Sequence, residues 1–152
     1  DWETLSAYSF RKDAQAAEWD NIFLYQINRK DNNLRKYDIL SDSIVNVYDM
    51  SDSKIKGDIL AVVNSDLVNR RLILVNNNGL SELYIVDDQT FAPYLKKDCY
   101  ADGTPFKKID RIFSTGMNTA GVWEEYIGLI SKNDKYPIEL IKMYDQGWID
   151  VQ

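Results

Sequence analysis

The stretch Arg71-Leu72-Ile73-Leu74-Val75-Asn76-Asn77-Asn78-Gly79-Leu80-Ser81-Glu82-Leu83-Tyr84-Ile85-Val86 reads as two β-strands joined by a tight turn. Asn and Gly tolerate the positive φ that a two-residue hairpin turn demands, so Asn78-Gly79 predicts a hairpin with strands over 71–76 and 81–86. The run Leu72-Ile73-Leu74-Val75 shows no polar alternation, and neither does Ile59-Leu60-Ala61-Val62-Val63. Such runs predict strands buried on both faces.

Outward from this hairpin the same grammar repeats at intervals of roughly ten residues, as short runs of Ile, Val, Leu and Tyr broken by Asn, Asp, Ser and Gly. It predicts strands over 22–28, 34–40, 44–48, 58–64, 108–113, 122–131, 138–144 and 148–151. The polar clusters Arg29 to Asn33, Ser65 to Asn69 and Lys132 to Lys135 then serve as further hairpin turns. Two pieces read as irregular. One is 87–107, which holds Pro93, Gly103 and Pro105; the other is 114–121, with two glycines and small polar residues. Long irregular segments in compact domains are often functional.

At the N-terminus the pattern differs. Trp2, Leu5 and Tyr8, then Phe10, Ala14 and Ala17, recur at three- and four-residue spacings without Gly or Pro, leaving Arg11, Lys12, Asp13 and Glu18 for a polar face. This predicts an amphipathic helix over 1–20. The expected fold is therefore α+β and mostly β: one domain over 1–152, with the helix packed on an antiparallel sandwich or barrel of about eight to ten short strands. Hairpins of this form also occur in propeller blades. A closed propeller needs at least four four-stranded blades, and the strands read here are too few.

A chain of 152 residues can bury roughly 70% of its unfolded surface, enough for a core without metals or disulfides. Lys and Arg total 18 against 24 Asp and Glu, and the basic residues fall in scattered pairs such as Arg70-Arg71, Lys96-Lys97 and Lys107-Lys108. The net charge of −6 and the absence of a basic stripe argue against nucleic acid as a partner. No apolar run approaches the ~18 residues that span a bilayer. The single Cys99 forbids an internal disulfide, and a first residue other than Met points towards an exported or processed protein.

The absence of histidine removes the commonest general base, the commonest zinc ligand and every Ser-His or Cys-His pair. Cys99 has no such activator; Asp98 and Asp102 nearby disfavour its thiolate while Lys96 and Lys97 pull the other way, so a structural or incidental thiol is expected. Glu124 and Glu125 are adjacent, so in a strand they point to opposite faces and cannot work as a catalytic pair. The oxygen-rich runs Asp49-Ser51-Asp52-Ser53-Asp58 and Asp98-Asp102-Thr104 lack the spacing, central Gly and closing Glu of an EF-hand, and turn capping explains them. No nucleotide-binding loop is present. No cofactor or metal is expected.

Aromatic residues are frequent, with 10 Tyr, 4 Trp and 5 Phe. Most belong to strand packing, but Trp123 follows the glycine-containing segment 114–121, Trp148 follows the turn Gln146-Gly147, and Tyr126 and Tyr100 sit near the two irregular pieces. These four are the candidate binding residues. The reading leans away from an enzyme and towards a non-catalytic interaction or ligand-binding module, of an exported or virion-associated accessory kind, with a protein or glycan partner. A carrier with an apolar barrel cavity, a carboxylate-dependent hydrolase and an acidic immunity-type inhibitor stand as the alternatives.

Overall fold

The computed structural model describes the chain apart from residues 11–14, 16–20, 51–53, 65–69, 88, 108, 133–136, 145–146 and 152. The described residues form twelve strands and no helix. The strands are β1 (Glu3–Phe10), β2 (Asn21–Asn28), β3 (Asn33–Asp38), β4 (Ser43–Asp49), β5 (Asp58–Asn64), β6 (Arg70–Asn77), β7 (Leu80–Asp87), β8 (Pro93–Lys97), β9 (Ile109–Thr119), β10 (Val122–Ser131), β11 (Ile138–Tyr144) and β12 (Gly147–Val151). They make three antiparallel four-stranded sheets, ordered β1-β2-β3-β4, β5-β6-β7-β8 and β12-β11-β10-β9. Each is a meander, with strands side by side in chain order, which is the strand arrangement of a propeller blade. The chain folds as two compact units, Asp1–Ile55 with the first sheet and Lys56–Gln152 with the other two.

The expected α+β fold, a helix packed on a sandwich or barrel, is therefore corrected to an all-β one. Glu3–Phe10 is a strand, and the remainder of the expected helix lies largely outside the described residues. The physical reason is competition between local and non-local pairing. A short helix is marginal in water, and Ser6 and Ser9 weaken it further, whereas Thr4, Tyr8 and Phe10 suit a strand. β1 completes the open edge of β2, with Glu3 opposite Ile27 and Phe10 opposite Asn21. Side chains fasten it there. Arg29 Nε donates to Glu3 Oε2 at 2.7 Å, Gln26 Nε2 donates to Thr4 Oγ1 at 3.1 Å, and the Arg35 guanidinium lies 4.2 Å from the Trp2 ring centre.

A second unexpected strand, β8, comes from the segment 87–107. Pro93 and the turn before it mask it: Asp87 Oδ1 accepts from the backbone of Gln89 and Thr90, and Phe91 takes a positive φ of 57°. Pro93 is compatible with strand structure because it stands at the first position of an edge strand, where its missing N–H costs little. The segment 114–121 is likewise not irregular, since β9 runs through to Thr119 and turns back at Ala120-Gly121, both at positive φ. The Asn78-Gly79 turn has the same form, with φ of 53° and 81° and Asn77 opposite Leu80. The expected turn at Ser65 to Asn69 lies outside the described residues, as do residues 133–135 of the turn after Ser131.

In the unit Lys56–Gln152 the second and third sheets share one core. Leu72, Leu74, Leu83 and Ile85 of the second sheet pack with Ile109, Ile112, Ile127, Leu129 and Ile141 of the third, joined by Tyr100 and Phe106. On the other face of the second sheet Ile73, Val75 and Val86 are also fully buried, as the unbroken apolar runs predict. In the unit Asp1–Ile55 the buried side chains among the described residues are Tyr25, Ile27, Leu34, Tyr48, Met50 and Ile55, together with Asp38. Asp38 Oδ1 accepts from the backbone of Leu40 and Ser41, shaping the β3–β4 turn, while its Oδ2 accepts from Asn21.

Candidate functional site

The β9–β10 hairpin outgrows its sheet. β10 pairs with β9 from Val122 to Ser131, but its pairing with β11 covers only Tyr126 to Ile130. The distal part, Gly116–Thr119 with Val122–Glu125, is a two-stranded arm ending in the Ala120-Gly121 turn. Trp123 stands on this arm, opposite Asn118, and is 47% exposed. Its ring lies across Gly116, where any Cβ would collide with it. Glycine in the neighbouring strand thus gives the indole a flat backbone seat on one side and leaves the other side open. Asn118 and Thr119 are exposed beside it.

The other three candidate residues do not join it. Tyr126 is three positions along β10 and so faces the opposite side, where its hydroxyl donates to Glu124 Oε2 at 2.8 Å and Lys142 Nζ lies 3.5 Å from Glu124 Oε1. Trp148 is on β12, with β11 between it and β10, and its side chain is outside the described set. Tyr100 is buried, its ring edge-on to Phe106 with centres 4.8 Å apart. It anchors a compact loop in which Tyr100 N donates to Thr104 O, Gly103 N to Tyr100 O and Phe106 N to Asp98 O. Asp102 Oδ1 caps this loop by accepting from Thr104 N at 2.9 Å, the turn role expected of it. In the other oxygen-rich run residues 51–53 lie outside the described set.

A second constellation is one that the residue pattern did not single out. Glu82, Tyr84 and Lys96 share one face of the second sheet, because Glu82 and Tyr84 are two apart on β7 and Lys96 is opposite Tyr84 on β8. The buried Glu82 carboxylate accepts from Asn77 Nδ2 at 3.0 Å and from the Tyr84 hydroxyl at 3.0 Å, and Lys96 Nζ lies 3.2 Å away. Lys96 also reaches Asp98, at 3.6 Å. Burial pushes the Glu82 carboxyl up, but hydrogen bonds from Asn77, Lys96 and Tyr84 outweigh it and hold the group below its ordinary value. Burial and the Glu82 carboxylate raise the Tyr84 phenol, and the hydrogen bond to Glu82 raises Lys96. Asn77, Glu82, Lys96 and Asp98, though not Tyr84, line an open cleft of about 460 Å³ that the 99–105 loop also borders. The period-two spacing of Glu82 and Tyr84 was visible in the sequence; their partner Lys96 was not, because β8 was hidden.

Electrostatically this cleft is a locked ion pair. A general acid needs a carboxyl that keeps its proton near neutral pH, and Glu82 is shifted the other way, with three donors holding it as the anion. Among the described residues no group of three or more His, Cys, Asp or Glu side chains is gathered so as to hold a metal ion, and no helix is long and apolar enough to cross a membrane. Cys99 is a free thiol, partly exposed. The chain matches no protein-family model, and no curated protein or solved structure proves similar to it.

Proposed function

We propose that this chain is a non-catalytic interaction module that grips a glycan through the β9–β10 arm, with Trp123 as its stacking platform. The observation that carries this reading is the one-sided exposure of the Trp123 ring, seated on Gly116 and flanked by the Asn118 amide. A flat ring with one free face stacks on the apolar face of a pyranose, and a neighbouring amide supplies directional hydrogen bonds to its hydroxyls. The platform is already in position before binding, so little ordering entropy opposes association. The packing of the third sheet on the second through a shared core supports the same reading, since it gives the arm a firm base from which to project. The Glu82 cleft favours it over a hydrolase, because its carboxylate is engaged as an anion rather than poised as an acid.

Titration of the protein with a panel of neutral oligosaccharides, followed by calorimetry, tests this. Binding to at least one member is expected, weakened about tenfold to a hundredfold in Trp123→Ala and partly retained in Trp123→Phe. No binding across the panel, or binding that Trp123→Ala leaves unchanged, overturns the reading.

A further inference from the structure

The seat of Trp123 is the middle of a row. Side chains two apart on a strand share a face, and so do directly opposed residues, so the pairing register sets Ser114, Gly116 and Asn118 of β9 on the Trp123 side of the arm. The Trp123 ring covers Gly116, which leaves Ser114 on one flank and Asn118 on the other, both exposed. At ~3.3 Å per residue the row is roughly 13 Å long, comparable to a linear trisaccharide.

The polar groups of this row are uncommitted. Other asparagines on the strands are used internally: Asn21 donates to Asp38, Asn77 donates to Glu82, and Asn46 Oδ1 accepts from Val47 N. Among the described residues neither the Ser114 hydroxyl nor the Asn118 amide has such a partner. The row is also uncharged. Residues 114–126 include no Lys or Arg. Of the two carboxylates there, Glu125 is fully buried, and Glu124 is held by Lys142 and Tyr126 on the opposite face.

We infer that the arm takes an uncharged linear glycan lengthwise, with one pyranose stacked on Trp123 and its two neighbours hydrogen-bonded by Ser114 and Asn118. This rests on the glycan reading of Trp123 and adds a length and a charge to it. The length follows from the row: a hydroxyl and an amide each donate and accept, so both can meet sugar hydroxyls, directly or through one water. A single sugar fills only the middle position, and affinity rises until both flanks are occupied. The charge follows from what the arm lacks. A uronate or sialate carboxylate brought onto the ring loses water and gains no cation from the arm in return, which opposes its binding.

Calorimetric titration of the intact chain with β-linked gluco-, manno- and galacto-oligosaccharides, from monosaccharide to hexasaccharide, reads the length. The same trisaccharides oxidised at their primary alcohols to uronates read the charge. For the series that binds, the dissociation constant is expected to fall about tenfold or more from monosaccharide to trisaccharide, then only by the statistical gain of extra registers. Ser114→Ala and Asn118→Ala are each expected to weaken the trisaccharide about threefold to tenfold and to leave the monosaccharide within about twofold. The uronate trisaccharide is expected to bind about tenfold or more weakly than its neutral parent. Binding that needs Trp123 but ignores chain length, both flanking variants or the uronate charge leaves the glycan reading standing and overturns this inference. No binding in any series removes both.

Discussion

The second and third sheets are built alike, as four-stranded antiparallel meanders with apolar residues on both faces, yet water treats them differently. In the second sheet Leu72, Ile73, Leu74 and Val75 alternate sides and all four are fully buried. In the third, the inward Ile127 and Leu129 are fully buried while the outward Ile130, Ile138 and Leu140 are exposed. An apolar pattern states what a face requires; the layers around it decide whether the requirement is met. The second sheet is buried on both faces, whereas the third, with a similar composition, is buried on one.

The largest test of that contrast is a pair of truncations at equivalent chemistry. Leu74→Ala, from the doubly covered sheet, is expected to cost about 2–5 kcal/mol in denaturant unfolding, and Leu140→Ala, from the open face, less than about 1 kcal/mol when measured on dilute protein. Equal costs would mean that the outward face is covered in solution. A middle-sized effect is expected where β7 pairs with β8. Glu82→Gln is expected to lose about 1–3 kcal/mol at neutral pH, the half-exposed Lys96 limiting the loss.

The sign of its pH dependence follows from the depressed Glu82 carboxyl. Its contribution is fully present above the ordinary glutamate range and is lost as pH falls through the lowered folded value. The gap between wild type and Glu82→Gln should therefore narrow on acidification below the ordinary glutamate range, and a gap that widens there contradicts the ion-pair account. The smallest effect belongs to the arm. Trp123→Ala, at a half-exposed position on a two-stranded overhang, is expected to change stability by less than about 1 kcal/mol, which separates the proposed binding role from any role in folding.

The hairpin chemistry was legible in the residues. Asn78-Gly79, the unbroken runs of β5 and β6, and the bounds of β5, β10 and β11 all follow from turn preference and period. What could not be read is what depends on distant partners. The 2–10 segment has apolar spacings that fit a helix, and only the open edge of β2, with Arg29, Gln26 and Arg35 reaching across to it, makes it a strand. β8 was hidden by Pro93, which is harmless only because the strand is at an edge. With those two strands absent, three sets of four could not be counted, and a sandwich or barrel was the natural reading.

Site legibility divides in the same way. Trp123 stands out in the residues because an aromatic next to a glycine-containing segment is a local signal, whereas its seat on Gly116 depends on the strand register. Tyr100 gave an equally local signal, and long-range packing against Phe106 placed it in the core. The Glu82 cluster needed three elements to converge, namely Asn77 of β6, Tyr84 of β7 and Lys96 of β8.

The most direct test of the interaction reading is to map the backbone amide shifts of isotopically labelled protein as a bound oligosaccharide is added. The account predicts changes concentrated at Gly116, Asn118, Thr119, Gly121 and the Trp123 indole, with the second sheet silent. Changes concentrated instead at Asn77, Glu82, Lys96 and Cys99 would contradict it and place the binding site in the cleft.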